Sequence, residues 1–139
     1  MAKIKNQITI LAIKEETEKA IDTITELLFL NKVDYSIINK VSIALEEVLI
    51  NIVSYAYEDT GNIQITYELT TEPKKELGVT IIDEGKEFDP LKKEDPNIVE
   101  LNEERKIGGL GIFMTKQIMD EVSYLRKDNK NILHLRKNL

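Results

Sequence analysis

A chain of 139 residues is long enough for one domain that buries roughly two-thirds of the surface its unfolded form exposes, and too short for a second independent core. With 42% apolar and 32% charged residues and a net charge of −6, it has the make-up of a soluble globular protein. It lacks the basic excess that general binding to nucleic acid or anionic lipid demands. The absence of cysteine and the single histidine exclude disulfides, thiolate catalysis and metal sites rich in either residue.

In chain order, Asn6–Ile13 is β-rich and predicts a first strand. A helix follows over Glu15–Leu30, with Thr17, Ala20, Ile21, Ile24, Leu27 and Leu28 at helical spacing and acidic residues at its start, where the helix dipole favours them. Asp34 or Ser36 can cap a second helix over Tyr35–Tyr57, which the polar cluster 58–62 ends. Ile63–Thr70 alternates apolar and polar residues as a half-buried strand does, and Leu77–Ile82 returns after a turn containing Pro73, closing on Asp83. From about 84 to 107 the periodicity disappears; a patternless stretch of that length predicts a mobile lid, with one helical turn near Ile98–Leu101. A short helix over Ile112–Met119 and a closing hairpin, Val122–Arg126 and Ile132–Lys137 around Asp128–Asn131, complete the chain. His134 falls in an alternating strand, where a structural or surface role suits it better than catalysis.

This order predicts a single domain, 1–139, folded as an α/β two-layer sandwich: a mixed, mainly antiparallel sheet covered on one face by helices. No stretch approaches the ~20 apolar residues of a membrane span, and the N-terminus lacks the apolar core of a signal peptide, so the sequence reads as a cytoplasmic protein with no membrane partner.

Three motifs carry chemistry. On the second helix, Val41, Ala44, Leu45, Val48, Leu49, Ile52 and Ala56 form a broad core-facing stripe. At about 100° per residue, Glu47 and Asn51 project only about 40° apart at its rim, while Glu46 points about 100° away from Glu47. Glu47 and Asn51 can therefore converge on one ligand; the plain alternative is that both are solvated. Asp83 closes an apolar strand, where a half-buried carboxylate needs a donor, and Gly85 allows a backbone conformation or a close approach that a Cβ would block; the plain alternative is a turn. Gly108-Gly109-Leu110-Gly111 precedes a helix, placing free N–H groups where phosphate oxygens bind, or else forms a hinge without a ligand. It is neither a Walker A loop nor a Rossmann glycine fingerprint.

In combination, Glu47-x-x-x-Asn51, Asp83-x-Gly85-x-x-Phe88-Asp89-Pro90 and Gly108-Gly109-Leu110-Gly111-Ile112 resemble the three nucleotide motifs of the Bergerat-fold ATPases, the superfamily of gyrase, histidine kinases and MutL. The short form with Tyr55-Ala56-Tyr57 after the asparagine resembles the bacterial anti-sigma-factor serine kinases. The resemblance implies ATP and Mg2+ as cofactors, with Asn51 as a magnesium ligand and Glu47 as the general base toward a substrate serine. It also implies Asp83 as acceptor of the adenine amino group, Gly85 as the gap through which the base approaches, and Gly108, Gly109, Leu110 and Gly111 as the phosphate cradle. A lid cation, Arg105 or Lys106, would meet the γ-phosphate. The family often carries a threonine near adenine where this chain has Asn131-Ile132. The implied function is an ATP-dependent protein-serine kinase and anti-sigma factor that phosphorylates a STAS-type anti-anti-sigma partner, acts as a homodimer, and controls a sigma factor. The rival readings are a nucleotide-responsive binding module without catalysis and a structural adaptor.

Overall fold

The computed structural model describes residues 3–57, 61–92 and 109–139. Its strands are β1 (Lys3–Leu11), β2 (Asn62–Thr70), β3 (Glu76–Asp83), β4 (Glu121–Lys127) and β5 (Lys130–Asn138). Its helices are α1 (Lys14–Leu30), α2 (Tyr35–Asn51) and α3 (Gly109–Ile118). The strands form one sheet in the order β1-β2-β3-β5-β4, and every pairing is antiparallel. The expected sandwich with helices on one face is therefore present, with a sheet that is wholly antiparallel where a mixed one was expected, because each neighbouring pair of strands runs in opposite directions.

Alternation decides which face is covered. Ile63, Ile65, Tyr67 and Leu69 of β2 and Leu77, Val79 and Ile81 of β3 are buried, and they pack against the apolar stripes of α1 and α2 in one core. The intervening Gln64, Thr66, Glu68 and Thr80 line the other face, where Thr80 Oγ1 and His134 Nδ1 share a hydrogen bond of 3.1 Å. The sole histidine is thus a surface partner of a threonine.

On α1 the stripe is Thr17, Ala20, Ile21, Ile24 and Leu28; the helix stops at Asn31, whose Nδ2 donates to Leu27 O at 2.9 Å, and at Lys32, with a φ of 62°. On α2 the stripe is Ile38, Val41, Ala44, Leu45, Val48 and Leu49. Asp34 stands at its N-cap, yet its carboxylate accepts from the Ser36 hydroxyl at 2.8 Å and makes no bond to the helix N–H groups. The second helix was expected to run to Tyr57. Its α-helical part ends at Asn51, and Ile52–Ala56 form a π-helical turn, which adds a residue to the turn while Ile52 and Ala56 stay buried.

β1 begins three residues before the expected start, because its antiparallel pairing uses all of β2, from Lys3 opposite Thr70 to Leu11 opposite Asn62. The closing hairpin turns at Asp128-Asn129, with φ of 52° and 61°, the left-handed pair of a two-residue turn. It does not simply extend the sheet: β4 takes the edge and β5 inserts between β4 and β3. Asp83 therefore lies opposite Asn131 at one end of the sheet. Of the stretch expected to form a lid, residues 84–92 are described, as a loop with a 3-10 turn at Pro90–Lys92. The turn expected near Ile98–Leu101 lies outside the described residues. Among the described residues, no helix is long and apolar enough to cross a membrane.

Candidate functional site

The end of α2, the end of β3 and the start of β5 border a cavity that opens to solvent and leaves about 30 Å3 for the centre of a water-sized sphere. Its walls are mainly apolar, from Val48, Ile52, Ala56, Phe88, Ile112 and Leu133. Four side chains with polar groups line it: those of Asn51, Asp83 and Asn131, which are buried, and that of Tyr124, which is half-buried. Such a pocket suits a flat, largely apolar ring that carries a few polar groups.

Glu47 does not line this cavity; it lies one turn earlier on α2, half-buried, whereas Glu46 is exposed. The geometric separation of the two glutamates on the helix wheel is thus realised. The first turn of α3 presses on Glu47: a Cβ built at Gly111 would stand 2.2 Å from Glu47 Oε2 and 3.0 Å from its Cδ. A helix was expected only from Ile112, after a glycine loop. It begins at Gly109, so Gly109, Leu110 and Gly111 are its first turn, whose N–H groups have no partners within the helix. Gly108, Arg105 and Lys106 lie outside the described residues.

Asn51 Nδ2 is the buried side-chain polar atom that lacks a hydrogen-bond partner among the described residues. A buried amide without a partner is costly unless a ligand completes it. The described residues contain no group of three or more acidic, histidine or cysteine side chains that would cage a metal. The unpartnered Nδ2 is a donor and cannot hold a cation; the amide's Oδ1 is the atom that would serve Mg2+, which takes few protein ligands and completes its shell with phosphate and water oxygens.

Asp83 is 4% exposed. Its Oδ1 accepts from Gly85 N at 3.0 Å and from Asn131 Nδ2 at 2.9 Å, while no donor among the described residues reaches Oδ2. Burial pushes its carboxyl above the ordinary aspartate range, opposed by the Asn131 amide, the Gly85 N–H and the Arg126 charge. Gly85 is required by the protein's own backbone: a Cβ there would lie 2.2 Å from Ala56 O, which accepts from Lys86 N at 2.9 Å. The π-helical turn and the loop after Asp83 are thereby stitched together. Tyr57 adds a second stitch, donating to Asn62 O and accepting from Glu84 N, both at 2.7 Å. Burial, foremost, raises its hydroxyl pKa.

Arg126 escaped the sequence reading, which met Asn131 only as a departure from the family's threonine and Tyr57 only as part of the Tyr55-Ala56-Tyr57 motif. Arg126 Nη1 donates to Gly85 O at 2.9 Å and to Asn131 Oδ1 at 3.2 Å. A strand's alternation shows which face a residue takes but not which strand lies beside it, so only the inserted β5 reveals Asn131 opposite Asp83.

An antiparallel sheet under helices, with a buried carboxylate in an apolar cavity and a helix N-terminus beside a glutamate, defines the α/β sandwich of the histidine kinase-like ATPases. The chain belongs to that family: the family model described as a histidine kinase-like ATPase domain matches residues 10–137. The serine-protein kinase RsbW of Listeria monocytogenes is 36% identical over 94 residues, covering 63% of this chain and 58% of that protein. The RsbW serine-protein kinase of Halalkalibacterium halodurans is 32% identical over 114 residues, covering 76% and 65%. The chain thus spans less than two-thirds of the length of these relatives. Among solved structures, that of the RsbU and RsbW domains of a Mycobacterium tuberculosis protein superposes with a TM-score of 0.69 at 17% identity, covering 98% of this chain and 32% of that one. A histidine kinase domain of Erythrobacter litoralis gives 0.55 at 14% identity, covering 92% and 64%.

Proposed function

We propose that the chain is an ATP-dependent protein-serine kinase and anti-sigma factor, which phosphorylates a STAS-type anti-anti-sigma partner and works as a homodimer. Adenine enters the apolar cavity and its amino group donates to Asp83 Oδ2. Glu47 takes the proton of the acceptor serine as the serine oxygen bonds to the γ-phosphorus and the bond to the β-phosphate bridging oxygen breaks, releasing ADP. General-base help of this kind contributes about 10²–10⁴-fold. Asn51 is the protein ligand for Mg2+, which when bound neutralises phosphate charge. Residues 84–107 form the lid, with Arg105 or Lys106 meeting the γ-phosphate.

The observation that carries this reading is the approach of Glu47 to the first turn of α3, where Gly111 leaves room for its carboxylate, one helical turn before the Asn51 that lines the cavity with Asp83. Nucleotide binding without transfer would not call for that glutamate. The names of the relatives, serine-protein kinases, favour the same reaction. Radiolabel transfer from ATP to a purified STAS-domain partner tests it. The parent chain should label a serine, and Glu47→Gln should bind ATP with unchanged affinity while losing at least ~100-fold in transfer rate. Transfer by the variant at the parent rate removes the base assignment, and ATP binding without any labelling by the parent favours a nucleotide-responsive binding module.

A further inference from the structure

Asn131 is 5% exposed and lines the cavity, yet its amide has no hydrogen-bonding capacity left for a ligand. Nδ2 donates to Asp83 Oδ1 and to Lys86 O, each at 2.9 Å. Oδ1 accepts from Phe88 N at 3.3 Å, from Arg126 Nη1 at 3.2 Å and from the Tyr124 hydroxyl. The chemistry fixes the amide's orientation, since a carboxylate and a carbonyl only accept while a backbone N–H and a guanidinium only donate. The loop from Asp83 to Phe88 is therefore wrapped around one side chain, held at its first, fourth and last residues. A hydroxyl at this position has one proton to give and cannot serve Asp83 and Lys86 together.

We infer that Asn131 is the positioning residue that sets base specificity: by engaging Asp83 Oδ1, it turns the unpartnered Oδ2 toward the cavity as the acceptor for a purine 6-amino group. Asn131 makes no hydrogen bond to the base itself. Tyr124 and Arg126 hold the amide, and Gly85 N–H shares Oδ1 with it, so the carboxylate cannot rotate without breaking two hydrogen bonds. The inference rests on the nucleotide reading of the cavity. It adds the source of the preference for an amino purine.

The test is calorimetric titration of the full chain, with Mg2+, using ATP and purine riboside 5′-triphosphate, which lacks the 6-amino group. The parent should favour ATP by ~10-fold or more, as a buried acceptor left unpaired penalises the analogue. In Asn131→Ala that preference should fall to within about threefold while affinity for the analogue holds, because only the amino-group contact is lost. A general structural role would weaken both nucleotides equally, and that result, like an undiminished preference for ATP, overturns the inference. If Asn131→Ala shows no cooperative thermal unfolding, Asn131→Val, which likewise has no donor for Asp83, replaces it, with the same outcomes. A parent that binds neither nucleotide overturns the nucleotide site itself, a failure distinct from a parent that discriminates and a variant that does so equally well.

Discussion

Two glycines of the site are small for different reasons, and the difference sets opposite expectations for the same substitution. At Gly85 an added Cβ meets a backbone carbonyl, Ala56 O at 2.2 Å, which also accepts the Lys86 N–H and cannot move without opening the end of the π-helical turn. Gly85→Ala should therefore cost about 1–3 kcal/mol in urea denaturation, the range for overpacking a close contact. At Gly111 the added Cβ meets the tip of a flexible side chain, Glu47 Oε2, which can swing aside. Gly111 lies inside α3, where alanine is favoured over glycine by up to about 1 kcal/mol. Gly111→Ala should therefore keep or raise stability in the same assay, while phosphoryl transfer falls by ~10-fold or more through the displaced carboxylate. Equal losses of stability in the two variants would contradict this account. From the sequence Gly85 is readable as a place where a Cβ is unwelcome and Gly111 only as part of a glycine stretch with free N–H groups; what a Cβ would strike at either is not readable, because Ala56 and Glu47 reach them only through tertiary packing.

At the scale of elements, α2 and β3 carry most of what the sequence made legible. The helical stripe separates Glu47 from Glu46, and the alternation of β3 delivers Asp83 to the inner face of the sheet, so both placements follow from periods of 3.6 and 2. The π-helical turn has no such signature, since Ile52 and Ala56 fit an α-helical stripe equally well. The insertion of β5 beside β3 is equally silent, because hairpin residues encode their face and their turn but not their neighbour. That insertion determines the electrostatics of Asp83, which burial pushes to a raised pKa against the help of Asn131, Gly85 and Arg126. The sign follows directly. A carboxyl whose folded pKa exceeds its unfolded value of about 3.9 costs stability when ionised, and the cost disappears as pH falls through the folded pKa. Asp83→Asn resembles the protonated form and keeps an oxygen for Gly85 N and Asn131 Nδ2. Its stability relative to the parent should be most favourable near pH 7 and should shrink toward pH 4, as measured by denaturant unfolding at each pH. ATP affinity should fall by ~10-fold or more, because an amide nitrogen then faces the amino group of adenine. A relative stability that instead grows on acidification would mean that Asp83 is held ionised by its partners.

For the molecule as a whole, the site is an opening at one end of a core that is otherwise complete. Residues from every strand but the edge strand β4, together with α1, α2 and Met119, are buried in a single cluster, so the sheet and helices do not depend on a ligand for their packing. The exception is local: among the described residues Asn51 Nδ2 has no partner and no donor reaches Asp83 Oδ2, and both side chains line the cavity. A ligand that satisfies these groups binds the folded chain and not the unfolded one, and so must raise the unfolding midpoint. At 100 times its Kd, Mg-ATP should add about 2.7 kcal/mol, a rise of roughly 9 °C for a chain of this length. Differential scanning fluorimetry with and without Mg-ATP measures it, with Mg2+ alone as the control. Neither the midpoint without ligand nor its small response to Mg2+ alone should change in Glu47→Gln, since the glutamate lies outside the cavity lining. An unchanged midpoint at saturating Mg-ATP would mean that the unpaired groups serve something other than a nucleotide, and would leave the chain a family fold without the family ligand.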